Sequence, residues 1–102
     1  MKHITLDYEE QPMSADLNKR MELIRNSAGS IVKHFKGNLY IIQKVVRDCE
    51  DATHEIVEYK ALYGDTQTWV RDLSDFVAEL SDERKTTYAQ LYRMQLIKIV
   101  KK

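Results

Sequence analysis

The chain has 102 residues, with one cysteine, one proline, three glycines and no net charge. Each scarcity excludes something. A lone Cys49 cannot close an internal disulfide, so stability has to come from a packed core, and a reducing compartment, the cytoplasm, is expected. So little proline and glycine excludes a collagenous chain or a low-complexity linker. No apolar run approaches the roughly 20 residues of a helical membrane span, and the opening MKHITLDYEE has no apolar segment of the kind a secretion signal carries. Balanced charge removes the simplest argument for a nucleic-acid binder. Also missing are a Gly-x-Ser-x-Gly elbow, a P-loop and a dinucleotide fingerprint. His34 has the chemistry of an acid or base, yet spacing nominates no nucleophile to work with it. Cys49 and His54, with Asp51 between them, amount to half a zinc site; zinc takes three or four protein ligands, and the other histidines are His3 and His34. No catalytic residue, metal or other cofactor is assigned.

What is present is a globular composition, 43% hydrophobic and 31% charged, sufficient for one domain with a modest core. Residues 3–8 alternate in polarity and read as a short strand or arm, with Ile4, Leu6 and Tyr8 on one face. Pro12 interrupts. Ser14 is a suitable N-cap for a helix over 15–26, whose stripe is Leu17, Met21 and Ile24 with Leu23 beside them, and Gly29 stops it. Residues 31–71 then read as a β meander. Strands are expected over 31–35 and 39–47 around the Gly37-Asn38 turn. A polar hairpin connection follows over 48–54. Further strands are expected over 55–63 and 66–71 around Gly64-Asp65, the first with Val57, Tyr59, Ala61 and Tyr63 facing inward. Residues 73–76 form a helical turn. From 85 to 100 the apolar residues fit both a helical and a strand period, and periodicity does not decide.

Zero net charge conceals a pattern. Residues 30–46 carry three bases and no acid, residues 47–83 three bases and eleven acids, and residues 84–102 six bases and no acid. If the first and last strands of the β unit lie side by side, the basic ends share one side of the molecule. Cross-strand pairs that cancel charge locally are the plainer expectation.

The segments HFKGNLY, IVEYKALYGD and WVR, the later Phe76 and QLYRM together resemble a small bacterial and phage family catalogued as domain of unknown function 1653. Its pattern opens His-aromatic-Lys-Gly-x-x-Tyr, continues through Tyr-x-Ala-Leu-Tyr and Trp-Val-Arg-Pro, and ends in Gln-x-Tyr-Arg-Phe. The matched positions are His34, Phe35, Lys36, Gly37, Tyr40, Tyr59, Ala61, Leu62, Tyr63, Gly64, Trp69, Val70, Arg71, Phe76, Gln90, Tyr92 and Arg93. Asp72 stands where the family has proline and Met94 where it has phenylalanine. The resemblance covers about residues 31–97 and implies an SH3-like barrel in which residues 92–100 are the closing strand. It implies no established activity.

The expected fold is therefore mainly β: a small SH3-like barrel over 30–100, preceded by an N-terminal arm and one amphipathic helix over 1–29. The candidate ligand-binding residues are His34, Lys36, Tyr40, Arg71, Gln90, Tyr92 and Arg93, because guanidinium groups pair with carboxylate or phosphate while aromatic faces stack on planar groups. Trp69, Tyr59 and Tyr63 are expected in the core, since large aromatics dominate small cores. Three functions follow: a non-catalytic binding module for an anionic or planar ligand; a nucleic-acid binder using the basic terminal strands; and a small enzyme or ligand-sequestering oligomer, a homodimer through the N-terminal helix. The partner is an anionic small molecule, a peptide or nucleic acid, with no membrane involved.

Overall fold

The computed structural model describes residues 7–100; the proposed arm residues Ile4 and Leu6 lie outside them. Nine elements follow one another: β1 (Asp7–Glu10), α1 (Leu17–Arg25), β2 (Ile31–His34), β3 (Leu39–Arg47), β4 (Glu55–Ala61), β5 (Thr68–Asp72), α2 (Leu73–Phe76), α3 (Asp82–Tyr88) and β6 (Met94–Val100). The fold is mainly β. All six described strands form one antiparallel sheet in the order β1-β6-β2-β3-β4-β5.

The first and last strands of the β unit do lie side by side, Val32 opposite Leu96 and His34 opposite Met94. The sheet is nevertheless not closed. The free side of β6, the one that would have to reach β5 to complete a barrel, is taken by β1, from Asp7 opposite Val100 to Glu10 opposite Ile97. Edges therefore remain at β1 and β5.

Turn chemistry sets the ends of the meander. Thr66 adopts φ 52° and Gly64 φ 56°, and the Thr66 N–H bonds the Tyr63 carbonyl, so β4 ends at Ala61 and β5 begins at Thr68, each shorter than the sequence period suggests. Between β3 and β4 the carboxylates of Asp48 and Asp51 accept the backbone N–H groups of Glu50 and Thr53, the local turns that aspartate favours. The ambiguous tail satisfies both of its periods in succession. Helix α3 ends at Ala89, which is left-handed at φ 53°, and β6 starts five residues later.

Alternation places Val32, Tyr40, Ile42, Val57, Tyr59, Ala61, Met94 and Leu96 on the inner face, and all are buried. Leu73, Phe76 and Val77, from α2 and the residue after it, cover this face together with Ile24 of α1. Each such side chain stabilises the fold by about 1.5–3 kcal/mol relative to exposure.

Helix α1 differs from the expected helix at its start and in its buried stripe. Asp16, not Ser14, is the N-cap, accepting from the Lys19 N–H at 3.1 Å, while the Ser14 hydroxyl accepts from Asp16 N–H. The buried residues are Arg20 and Ile24, spaced i and i+4, and Leu17 is exposed. Arg20 is only 3% exposed. Its Nε donates to the Val77 carbonyl at 2.9 Å, its Nη1 to the Ser14 carbonyl at 3.0 Å, and its guanidinium lies 4.1 Å from the centre of the Tyr92 ring. A hydropathy stripe passes over a charged residue, yet these carbonyls satisfy the guanidinium and allow its burial.

Candidate functional site

The inner face continues past the core at one end of the sheet, where the covering helices give out. His34 sits beside Met94, Tyr59 beside Trp69, and Arg71 two residues further along β5. Tyr63 continues the inward alternation of β4. Together with Tyr40 these side chains line a cavity of about 210 Å³. Residues from β2 through β6 meet there, so the open sheet curls until its β5 end faces β2 and β6.

Four aromatic rings form the walls. The Tyr40 ring meets Tyr59 and Tyr63 edge-on at 5.2 and 5.5 Å, and the Tyr40 and Tyr63 hydroxyls share a 2.8 Å hydrogen bond. Burial, then the bond to Tyr63, raises the Tyr40 phenol well above its ordinary range, so it stays protonated. Trp69 is 51% exposed and Tyr63 44%. The expectation that these two are core residues is corrected here: β5 is an edge strand, and both rings are left open to solvent. Tyr59, on the interior strand β4, is buried as expected, against Phe76.

Cations gather on the other side of His34. Its Nδ1 accepts the Lys36 backbone N–H at 3.1 Å, which puts the ring proton on Nε2. Burial, followed by the charges of Arg93, Lys36, Arg71 and Arg84, lowers its pKa to about 4, so the imidazole is neutral at physiological pH. It stacks on Phe35 at 4.2 Å, and Arg84, Lys36 and Arg93 lie 5.2, 5.9 and 5.9 Å from the same Phe35 ring. Asp75 sits between two guanidiniums, 2.5 Å from Arg71 Nη1 and 4.0 Å from Arg93 Nε. A hydrogen bond to the Tyr59 hydroxyl, and then the one to Asp75, raises the Arg71 pKa against an opposing effect of burial. Among the described residues, Lys36 and Arg84 take part in no ion pair.

Local cancellation of charge holds at several places. Lys33 pairs with Glu10, Lys44 with Glu58 across strands, and Lys85 with Glu79. It is incomplete around His34, where Arg71 and Arg93 share the Asp75 carboxylate while Lys36 and Arg84 have no ion pair among the described residues.

Of the residues singled out from sequence, His34, Tyr40 and Arg71 line the cavity, while Lys36 and Arg93 are not among its lining residues and lie by the Phe35 ring, within electrostatic reach of His34. Gln90 and Tyr92 are buried and hold the frame. The Gln90 side-chain amide donates to the carbonyls of Lys33 and Tyr92 at 3.1 and 2.8 Å, fastening β2 to the approach of β6. Tyr92 lies under Arg20 and bridges to Glu79. Sequence reasoning left out Arg84, which has no matched motif around it, and assigned Trp69 and Tyr63 to the core. An edge position is a property of strand order, which spacing does not encode.

The site is rich in donors and rings. Its histidine is held by a backbone N–H, and among the described residues no group of three or more histidine, cysteine or acidic side chains is placed to hold a metal ion. No described helix is long and apolar enough to cross a membrane. The arrangement suits non-covalent recognition of a planar group joined to an anion.

Comparison with known proteins places these features in a family. No curated protein and no solved structure matches the chain. A family model described as "Protein of unknown function (DUF1653)" matches residues 30–94, from the residue before β2 to the first of β6. Every residue lining the cavity, and all four cations around His34, fall within that span, while β1 and α1 fall outside it. The match covers well over half of the sequence, and the chain belongs to the family described as Protein of unknown function (DUF1653).

Proposed function

We propose that this protein is a non-catalytic binding module that takes the planar part of an anionic ligand between Trp69, Tyr40 and Tyr63 and its negative charge on Arg71, Arg93, Arg84 and Lys36. The observation that carries the reading is the convergence of four cations on a neutral histidine beside an aromatic cavity. A guanidinium binds an anion through directed, charge-assisted hydrogen bonds, and an exposed indole supplies stacking area at little conformational cost. Asp75, lying between Arg71 and Arg93, is an internal carboxylate in the position an anionic ligand would compete for. The order β6-β2-β3-β4-β5, of which β2 to β5 lie within the matched region, is the reason for keeping an SH3-like reading of the fold. The free, exposed Cys49 suits a cytoplasmic setting.

Backbone-amide NMR with an aromatic carboxylate, such as indole-3-acetate, and its neutral amide tests this. The carboxylate is expected to shift resonances of residues 34–36, 69–71 and 93, and the amide to shift them less. Equal responses to both compounds, or responses that survive Trp69→Ala together with Arg71→Ala, would remove the site. A nucleic-acid reading uses the same cations and predicts affinity that falls steeply with salt.

A further inference from the structure

Resting on that reading of the site, we infer that the ligand is a mononucleotide: a single nucleobase in the aromatic cavity with its phosphate on the cations around His34.

Size is the first argument. A cavity of about 210 Å³ lies below the roughly 300–1,000 Å³ of pockets for drug-sized ligands, which favours a single ring system over an extended ligand. The polar atoms around it, the Tyr40 and Tyr63 hydroxyls and the protonated His34 Nε2, suit the hydrogen-bonding edge of a base.

Charge is the second. Asp75 already serves as a carboxylate partner for Arg71, and Arg93 is next to it. Lys36 and Arg84 have no acidic partner among the described residues and flank the Phe35 ring with Arg93. A carboxylate has two oxygens and one charge, which is too little for that set; a phosphate monoester, with three terminal oxygens and nearly two charges, matches it.

Layout is the third. Trp69 and Tyr63 stand on the cavity side of His34, while Arg84 and Lys36 stand on the Phe35 side. A ligand that uses both needs its ring and its anion held apart by a polar spacer, which is what a ribose does. The surroundings also argue against a long strand. Asp65 follows the Tyr63-Gly64 turn, and Asp82 and Glu83 occupy the first turn of the helix that carries Arg84. Carboxylates thus neighbour in sequence both a cavity residue and one of the cations, which disfavours a polyanion.

Calorimetric titration and backbone-amide NMR of the full chain at physiological salt test the inference, with four probe types: 5′-mononucleotides, the matching nucleosides, inorganic phosphate, and a ten-residue oligothymidylate. At least one mononucleotide is expected to bind about tenfold or more tightly than both its nucleoside and phosphate, the size of one or two charge-assisted hydrogen bonds. The exposed-site variants separate the two halves. Lys36→Ala with Arg84→Ala should remove most of the advantage of nucleotide over nucleoside, and Trp69→Ala the advantage of nucleotide over phosphate. If indole-3-acetate binds and no nucleotide does, the inference falls while the anionic-aromatic reading stands. If neither binds, both fall. A decamer that binds more tightly than any mononucleotide, beyond its tenfold multiplicity, overturns the inference in favour of a strand-binding groove.

Discussion

Replacing Arg20 is the sharpest test of how this fold holds its N-terminal helix. The guanidinium is 3% exposed, donates to two backbone carbonyls from Nε and Nη1, and stacks on Tyr92. Hydrogen bonds from a charged donor contribute about 1.5–3 kcal/mol each, and the stacking about 1–2 kcal/mol when desolvated. Against these stands a desolvation cost of several kcal/mol for a buried cation, here with Glu79 as an acid that feels its charge. Arg20→Ala also leaves a void under α1 and deprives the Val77 carbonyl of its partner, so a net loss of about 2–4 kcal/mol is expected. In a chain of this size that lowers Tm by roughly 10–25 °C. Arg20→Met keeps most of the volume without the charge and should cost about 1–2 kcal/mol, the carbonyls being left unpaired. Urea denaturation of the three proteins, followed by circular dichroism, reads both values. If Arg20→Met is as stable as the wild type or more so, desolvation outweighs the hydrogen bonds and the guanidinium is not what fastens α1 to the residues after α2.

Phe76, fully buried against Tyr59 at 5.1 Å, should cost about 3–5 kcal/mol on truncation to alanine, whereas Trp69→Ala at the exposed edge should cost well under about 1.5 kcal/mol in the same urea assay; comparable losses would place Trp69 in the core after all. The His34 imidazole, lowered to about 4, should show no protonation by NMR at pH 5.5. Because the unfolded state takes up that proton first, its stabilising contribution is complete above the ordinary histidine pKa of about 6.5 and is lost as pH falls from there towards 4. A slope between pH 6.5 and 4.5 that is unchanged in His34→Asn would contradict this. His54 behaves in the opposite sense. Its Nδ1 and Nε2 lie 3.2 and 2.7 Å from Asp48 and Asp72, and hydrogen bonds to those two carboxylates raise its pKa. Its contribution is complete below about 6.5 and is lost as pH rises through the raised value; thermal melts from pH 6 to 8.5 should therefore decline in the wild type and be flatter in His54→Gln.

Asp72 shows how a local departure from the family pattern becomes structure. The family has proline here, and the residue holds φ −51°, within the range a proline ring imposes. The backbone is thus one that a proline could adopt, while the carboxylate adds functions a proline lacks: it caps α2 through the Ser74 N–H and accepts from His54. None of this could be read from the substitution alone. The helix start is similar, since Ser14 and Asp16 are both capping residues and only the geometry shows Asp16 in the role.

The strands of the meander, the turn at 73–76 and the mainly β character were legible because alternation of side chains and the turn preferences of glycine and aspartate are local properties. His34, Tyr40 and Arg71, which line the cavity, were picked out as candidates through their place in matched motifs. Three matters were decided only by tertiary structure. β1 occupies the free side of β6, so the sheet stays open; β5 becomes an edge, so Trp69 is exposed; and Arg20, on the helix, finds the Val77 carbonyl and the Tyr92 ring far away in sequence, so a charge is buried. Each depends on which segments become neighbours in space, and that follows from long-range strand pairing and packing, whose partners no local spacing names. The sequence by itself thus determined which residues could face inward, and the tertiary structure decided which of those have something packed against them and which are left open to solvent.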